Sequence, residues 1–305
     1  MGGLVLGLSG GQPDGSAEIL LKAALRAAAE AGAEVELVRL NELRMDYAVP
    51  GFGEDDDGEW LLERLLACDG LIVSTPIITR TVSASVKVAI DRMLGPNADA
   101  AFVEAIVAAR REGRDPVVPF QADERVLKPR VAGLIAVGGS LTENWKSLTL
   151  PTLHGIAFSM HIAVADQVVF EGAGTPKSIV LQPQAIERAA AVGRAVGEQL
   201  GAAFEEVEYR GEQGLCPMCH LSAVELRGRE VECVSCGARG ELAAEPTVTW
   251  TDLTTSVISM EEKRHHFDEV LETAKAHATR REEIDAAAAP YAEWDPSVAP
   301  NASTS

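Results

Sequence analysis

Residues 3–32 read GLVLGLSGGQPDGSAEILLKAALRAAAEAG. Residues 3–8 form a short apolar run with no alternation, the pattern of a strand buried on both faces. Ser9 to Gly15 is turn chemistry, rich in glycine and carrying Pro13. Strong helix formers follow over 16–31, with Ile19, Leu20, Ala23, Ala24 and Ala27 on one side at helical spacing. Ser16 suits an N-cap and Gly32 the position just past the helix end. A strand, a glycine loop and a helix therefore follow one another without a gap.

The same unit repeats along the chain. Residues 34–38 read as a second strand, with a short helix near 59–67. Residues 70–74 read as a third strand and 82–93 as its helix. A fourth strand is expected over 131–137 and a helix over 144–159. Residues 161–170 contain a fifth strand, and 183–202 a last helix. Strands alternating with helices imply an α/β fold, a doubly wound five-stranded parallel sheet covered on both faces. Residues 94–130 interrupt the alternation, with a helix expected at 99–112 and prolines at 116, 119 and 129. Connections of this length serve as lids or oligomer contacts. The α/β domain takes residues 1–205. A cysteine-bearing module takes 206–247. Residues 248–305 hold a polar helix over 259–288, with Met260, Phe267, Val270 and Leu271 on its packing side, and a Pro- and Ser-rich tail over 289–305 that is expected to fray.

The chain has 305 residues, 47% hydrophobic and 24% charged, enough to bury a sizeable core. No stretch approaches the roughly 20 apolar residues of a membrane span. The N-terminus has no basic segment ahead of its apolar run, so a cytoplasmic protein is expected. The net charge of −19 argues against nucleic acid and anionic membranes as partners. The acidic stretch Glu54–Asp57 with Glu59 reads as a solvated loop.

Where a parallel strand turns into a helix, free N–H groups converge and the helix dipole adds positive potential. Here Gly11 and Gly15 let the backbone approach a ligand, and Ser9 and Ser16 can donate hydroxyls. The loop therefore reads as an anion cradle. The dinucleotide fingerprint and the Walker lysine are both absent. Gly7-x-Ser9-x-Gly11 matches the nucleophile-elbow pattern in form only, because Gln12 to Gly15 separate the serine from the helix.

The third strand ends in Ser74-Thr75-Pro76-Ile77-Ile78-Thr79-Arg80-Thr81-Val82-Ser83-Ala84, followed by Val86-Lys87-x-x-Ile90-Asp91. Together with Ser9, Gly15, Ser16 and Glu18 of the first loop, this resembles the NADPH-dependent FMN reductase family of flavodoxin-like proteins, over about residues 3–200. The resemblance implies sheet order 2-1-3-4-5 with FMN between strands one and three. It implies that Ser9, Gly11, Gly15 and Ser16 hold the phosphate and that Thr75, Pro76, Ile77 and Ile78 border the isoalloxazine. Gly138, Gly139 and Ser140 match a third loop beside the flavin. NADPH or NADH would be the reductant, a quinone, flavin or other small molecule the acceptor, and a homo-oligomer the expected assembly. Three positions depart from the family pattern: Ile78 replaces a tyrosine, Ala17 a threonine, and Pro13-Asp14 replace basic residues. Hydride transfer through a flavin needs no protein acid or base, so no catalytic side chain is assigned. Arg80 could meet a cofactor phosphate or form a surface ion pair, and Trp145 could approach a ligand or be buried. His154 and His161 read as structural. The alternative function is a non-enzymatic redox or docking protein.

Cys216-Pro-Met-Cys219 and Cys233-Val-Ser-Cys236 are two Cys-x-x-Cys pairs separated by 13 residues. Four thiolates brought to one point suit tetrahedral zinc, and the arrangement resembles a zinc ribbon. Iron ranks behind zinc, and haem attachment at Cys216-x-x-Cys219-His220 behind both. Between Arg210 and Glu245 there are four Arg and no Lys against six Glu, which disfavours nucleic acid. A structural module is expected, open to a protein partner. Cys68 stands apart as a small buried hydrophobe.

Overall fold

The computed structural model describes residues 2–47, 55–93, 98–116, 122–242 and 260–300. Strands β1 (Leu4–Ser9), β2 (Glu34–Arg39), β3 (Gly70–Pro76), β4 (Val131–Val137) and β5 (Ala163–Phe170) form one parallel sheet in the order β2-β1-β3-β4-β5. All seven residues of β4 are buried, as is β1 from Val5 and β3 up to Thr75. Burial on both faces explains their unbroken apolar sequence.

Helices α1 (Ser16–Glu30) and α7 (Pro183–Gly197) cover one face, packing Leu20, Leu21 and Val192 onto Ile72 and Ile135. A Cβ on Gly193 would lie 1.9 Å from the Ala24 carbonyl oxygen, so α1 and α7 cross in backbone contact. The other face carries α2 (Gly58–Ala67), α3 (Ala84–Met93), α4 (Ala100–Arg111) and the short α5 (Thr149–Leu153) and α6 (Gly155–Phe158). The helix expected over 144–159 is thus shorter and divided. A 3-10 turn takes Glu143–Trp145, and Pro151 falls in the first turn of α5, the part of a helix that tolerates proline. In the insertion, Asp99 caps α4 by accepting from the N–H groups of Ala101 and Phe102. Pro119 and Glu54 lie outside the described residues. Cys68 is fully buried, and burial pushes its thiol up to about 11, which keeps it unreactive.

Strand β5 carries a register shift that leaves Ala165 unpaired with β4. The Ala165 carbonyl instead accepts from the Arg210 N–H at 2.7 Å, tying the chain after α7 to the sheet edge. Strands β6 (Val224–Arg227), β7 (Glu230–Cys233) and β8 (Arg239–Glu241) then form a small antiparallel sheet.

The C-terminal region departs most from expectation. The helix divides into α8 (Met260–Ala278) and α9 (Arg281–Glu293). The side chains of Met260, Phe267 and Val270 lie outside the described residues, and Leu271 is exposed. Among the described residues of α8, Glu269, Thr273 and His277, one helical turn apart in sequence, meet the loops at 140–141 and 174–175. The fraying expected over 289–305 does not hold for 289–300. Leu37 of β2 donates to the Pro296 carbonyl at 3.1 Å and accepts from Val298 at 2.9 Å, so the tail runs parallel to the sheet edge. Pro and Ser composition signalled disorder, yet the open polar edge of β2 offered the backbone partners that order it.

The tail also closes a buried ion cluster. Glu18, fully buried, receives two 2.9 Å hydrogen bonds from Arg39. Lys22, equally buried, lies 3.2 Å from Glu18 and 3.3 Å from Asp14. Asp295 pairs with Arg39 at 2.9 Å, and the Tyr291 carbonyl accepts from Lys22 at 2.8 Å. Burial raises the Glu18 carboxyl, but the hydrogen bonds from Arg39 and Asp14 and the charges of Arg39 and Lys22 outweigh it, holding the group below its ordinary 4.5. A carboxyl depressed in the folded state contributes stability above its unfolded value and loses it as pH falls through the folded one. Thermal unfolding should therefore show a steep loss of stability below about pH 4.5. Glu18→Gln should flatten this acid limb and cost about 3–5 kcal/mol at neutral pH, because it leaves buried cations without their partner. An acid limb identical in the variant would overturn the assignment.

Candidate functional site

At the C-terminal ends of β1, β3 and β4 two cavities adjoin. One, of about 460 Å³, is lined by the first loop (Gly10, Gly11, Gln12, Gly15, Ser16), by Ser83–Ser85 and by Ile78. The other, of about 450 Å³, is lined by Ile77, Gly138, Gly139, Ser140, Trp145 and Lys146. Pro76, Val137, Ala173 and Gly174 belong to both, so they are two parts of one groove across the switch between strands one and three.

The first cavity has the chemistry of an anion site. The hydroxyls of Ser9 and Ser16 are buried with no hydrogen-bond partner among the described residues. The amides of Gly11, Gln12, Ser16 and Ala17 also make no hydrogen bond there. The two buried hydroxyls are costly unless a ligand completes them. Ser16 and Ala17 begin the 15-residue helix α1, where the dipole is positive, and Ser9, Gly11 and Gln12 lie on the chain leading into it. Close approach explains the glycines. A Cβ on Gly10 would lie 2.4 Å from Val86 Cγ2 and 2.6 Å from Ser83 Oγ, and one on Gly11 would lie 3.0 Å from the Ala17 Cβ. Asn41 donates to the Gly11 carbonyl at 2.8 Å and fixes the loop from the end of β2. Asp14 takes a left-handed backbone (φ 56°) and its carboxylate meets Lys22, so this anion is engaged away from the cradle.

The second loop is held at both ends. Thr75 is buried and does not line either cavity; its Oγ1 accepts from the Ser83 N–H at 3.0 Å and sets the path of the chain into α3. Ile77 donates to the Val137 carbonyl at 2.8 Å, extending the sheet by one bond. Ile78 and Thr81 then exchange two backbone hydrogen bonds around Thr79 and Arg80, which have φ of 46° and 72°. Two consecutive left-handed non-glycine residues, one β-branched, store about 1–3 kcal/mol of strain each. Outside contacts hold the turn. Arg80 donates to the Asn144 carbonyl at 2.7 Å and to Ser147 Oγ at 2.9 Å, while its own carbonyl accepts from Thr149 at 3.0 Å. Arg80 is therefore committed to the loop before α5. Ile78 stands half-exposed at the mouth, an aliphatic surface for a planar ring.

In the third loop Gly138 packs on Ile77 and Gly139 on Gly174. Ser140 Oγ donates to Glu269 of α8 at 3.1 Å, and the Leu141 N–H donates to the same carboxylate. The structure thus brings together Gly11, Gly15, Ser16, Pro76, Ile77, Ile78, Gly138, Gly139 and Ser140 around the groove, with Ser9 beneath it and Thr75 behind it. Sequence reading missed Asn41, Lys146, the loop 173–176 and α8. The 173–176 loop carried a signal, since Gly172-Ala-Gly-Thr-Pro is one more glycine-rich strand end. Glu269 carried none, being one glutamate of a polar helix.

The four cysteines converge. Their Sγ atoms all lie within 4.8 Å of one another, with Cys216–Cys236 at 3.4 Å and Cys219–Cys233 at 3.5 Å. Two matching turns build the cluster. His220 donates to the Cys216 carbonyl and Gly237 to the Cys233 carbonyl, each at 2.9 Å. The residue after each pair is left-handed, His220 at 57° and Gly237 at 76°. Burial raises the Cys216 thiol, but backbone N–H groups of Cys219 and Met218 and the neighbouring sulfurs bring it down to about 7. Such a cluster can hold a metal ion. It docks on the α/β domain through Leu150 and through Gln167, which donates to the Cys219 carbonyl at 2.9 Å and bonds to His154 Nε2 at 2.6 Å. Burial holds His154 below its ordinary pKa. His161 stacks on Phe204 and His220 on Tyr209.

Residues 4–173 match the family described as NADPH-dependent FMN reductase. The chain belongs to this family. It is 38% identical over 256 residues to the flavone synthase cfoJ of Aspergillus candidus, covering 78% of this chain and 77% of that protein. An iron-sulfur flavoprotein of Methanocaldococcus jannaschii is 27% identical over 176 residues, 53% of this chain and 76% of its own. Among solved structures, a flavone reductase superposes with a TM-score of 0.65 at 29% identity over 98% of this chain and 100% of its own, so the likeness continues through the cysteine module. The reductase is accordingly an FMN-dependent NAD(P)H oxidoreductase. Among its described residues no helix is long and apolar enough to cross a membrane.

If the first loop holds the FMN phosphate, Ser16→Asp should abolish flavin retention through desalting while leaving the melting temperature unchanged or higher, since an acid at a helix start is favourable. Full flavin content in that variant would place the phosphate elsewhere.

Proposed function

We propose that this reductase passes hydride from NADPH or NADH through FMN to a planar small-molecule acceptor of the flavone class, with quinones and free flavins as the next candidates. The observation that carries the cofactor site is the set of unpartnered donors at the start of α1, opening into a groove lined by backbone and aliphatic surface. FMN, when bound, supplies the ring that accepts and releases the hydride. The Ser9 and Ser16 hydroxyls and the amides of Gly11, Gln12, Ser16 and Ala17 would hold the phosphate without a cation. Pro76, Ile77 and Ile78 form the aliphatic border of the ring, and Gly138, Gly139 and Ser140 its far edge. Gly138 and Gly139 keep that edge free of side chains, so two flat molecules can lie in the groove together. The strained turn at Thr79-Arg80, pinned from the α5 side, keeps Ile78 at the mouth. No side chain is assigned an acid or base role. The acceptor class rests on two relatives whose names place a flavone among the compounds they handle.

The four thiolates fit zinc. Tetrahedral zinc with Zn–S near 2.3 Å sets sulfurs about 3.8 Å apart, within the spread these four show. All five cysteines are free, which suits a reducing cytoplasm. Half-exposed Ile78, Leu141 and Leu148 are surface for self-association, and Leu215, Met218 and Val234 at the cysteine turns for a protein partner.

Purified protein should retain a flavin absorbing near ~450 nm and oxidise NADPH or NADH with a flavone or quinone. A flavin-loaded protein that turns over with no acceptor would sink the reading. Elemental analysis should find about one zinc per chain, and Cys233→Ser should lose it with a large fall in melting temperature, as folding of such modules is coupled to metal. A metal-free protein of unchanged stability would remove zinc from the proposal.

A further inference from the structure

A third cavity, of about 590 Å³, opens where the cysteine module meets β5. Its walls are Gln167–Val169 of β5, the linker 210–214 and the knuckle residues His220–Ser222. Lys146 lines both this cavity and the one beside Gly138–Ser140, standing between them. The charge of these two cavities runs against that of the chain. Arg80, Lys146, Arg188 and Arg210 line them, against Glu143 and Glu212 alone, in a protein of net charge −19. The phosphate-loop cavity, by contrast, has no charged side chain in its lining.

The pairing of Lys146 and Arg210 leaves them open to a competing anion. Lys146, itself 11% exposed, lies 2.8 Å from Glu143, whose side chain is 89% exposed and free to swing into solvent, and also meets the half-exposed Glu171. Arg210 pairs with the half-exposed Glu198. Exposed pairs are weak and yield to a phosphate. Arg188 differs, since it neutralises the buried Asp166 and is the structural member of the set.

We propose that the third cavity binds the phosphate-bearing adenosine half of the nicotinamide dinucleotide, with Lys146 and Arg210 as its anion contacts, while the nicotinamide enters the cavity beside Gly138–Ser140. The inference rests on the NAD(P)H oxidoreductase reading. A nicotinamide placed against the flavin must send the rest of the dinucleotide along a neighbouring surface. The neighbour with room and matching charge is this one. The cysteine module then has a defined role. Its knuckle and linker form one wall of the reductant site, and the Gln167 bond to the Cys219 carbonyl sets that wall against β5.

The test uses the full-length, FMN-loaded protein and the Arg210→Gln and Lys146→Gln variants. Calorimetric titration with oxidised NADP⁺ and NAD⁺ reads dinucleotide binding, and NMN, which lacks the adenosine half, serves as the control. Each variant should weaken the better dinucleotide roughly tenfold, as expected for one lost charged contact, and Arg210→Gln, which lines the third cavity and not the nicotinamide cavity, should leave NMN unchanged. Added salt should weaken the dinucleotide more than NMN. Arg210→Lys should recover most of the affinity. Equal dinucleotide binding in wild type and variants, or an equal loss for NMN in Arg210→Gln, overturns the proposal; unchanged flavin and metal content shows that the variants are folded. Anaerobic reduction of the bound flavin by reduced NMN separates the two levels. If it proceeds while the variants bind dinucleotide normally, only this inference fails. If no dihydronicotinamide reduces wild type and no dinucleotide binds, the oxidoreductase reading fails with it.

Discussion

Glu18 is a fully buried carboxylate one turn into α1, and Arg39 and Lys22 make its burial tolerable. Much of the molecule is arranged around that constraint. Arg39 ends β2, so the pair joins the helix after the first strand to the strand after the first helix. Lys22 turns the other way and takes the carboxylate of Asp14, which draws this acid out of the first loop and leaves the loop lined by donors alone. The tail from Tyr291 to Asp295 seals the cluster from solvent, and its next residues pair with the edge of β2. The ion cluster, the loop conformation and the docked C-terminus are therefore one arrangement. Removing a member exposes or strands the others.

On the proposed reading, the loop that this cluster shapes would hold an anion in a protein of net charge −19. It would do so without a lysine or arginine at the cradle. Backbone amides, two hydroxyls and a helix end supply the positive potential over a short range. The long-range field of the chain counts for less at such contact distances, because salt screens it within about 10 Å. Cations gather instead around Lys146, where a larger and more mobile ligand would have to be caught.

The region between the two sites is built from strain and its compensation. Thr79 and Arg80 hold left-handed conformations because Asn144, Ser147 and Thr149 grip them. The same stretch carries Trp145 and Lys146 into the groove and Leu150 onto the cysteine cluster. One short segment, residues 144–150, thus touches the turn at Thr79-Arg80, the charged cavity and the four-cysteine module.

The sequence by itself determined the alternation of strands and helices, the strand boundaries of β4, the glycine loop at Ser9–Gly15 and the four-cysteine cluster. Each depends on local signals: unbroken apolar runs, helical spacing, turn residues and ligand spacing. The first loop was readable because its glycines and serines are neighbours in the chain. Tertiary structure alone decided the rest. It placed Asn41 on Gly11, Glu269 on Ser140 and Asp295 on Arg39, pairs separated by 30, 129 and 256 positions. It turned a tail of disorder-like composition into an ordered edge, because the exposed hydrogen-bonding groups of β2 are a property of the sheet. It also created the cavity beside the cysteine module, whose walls come from separate stretches of chain. Local composition reports what a segment can form; which segments meet depends on burial and polar satisfaction across the whole fold, and no local pattern records that.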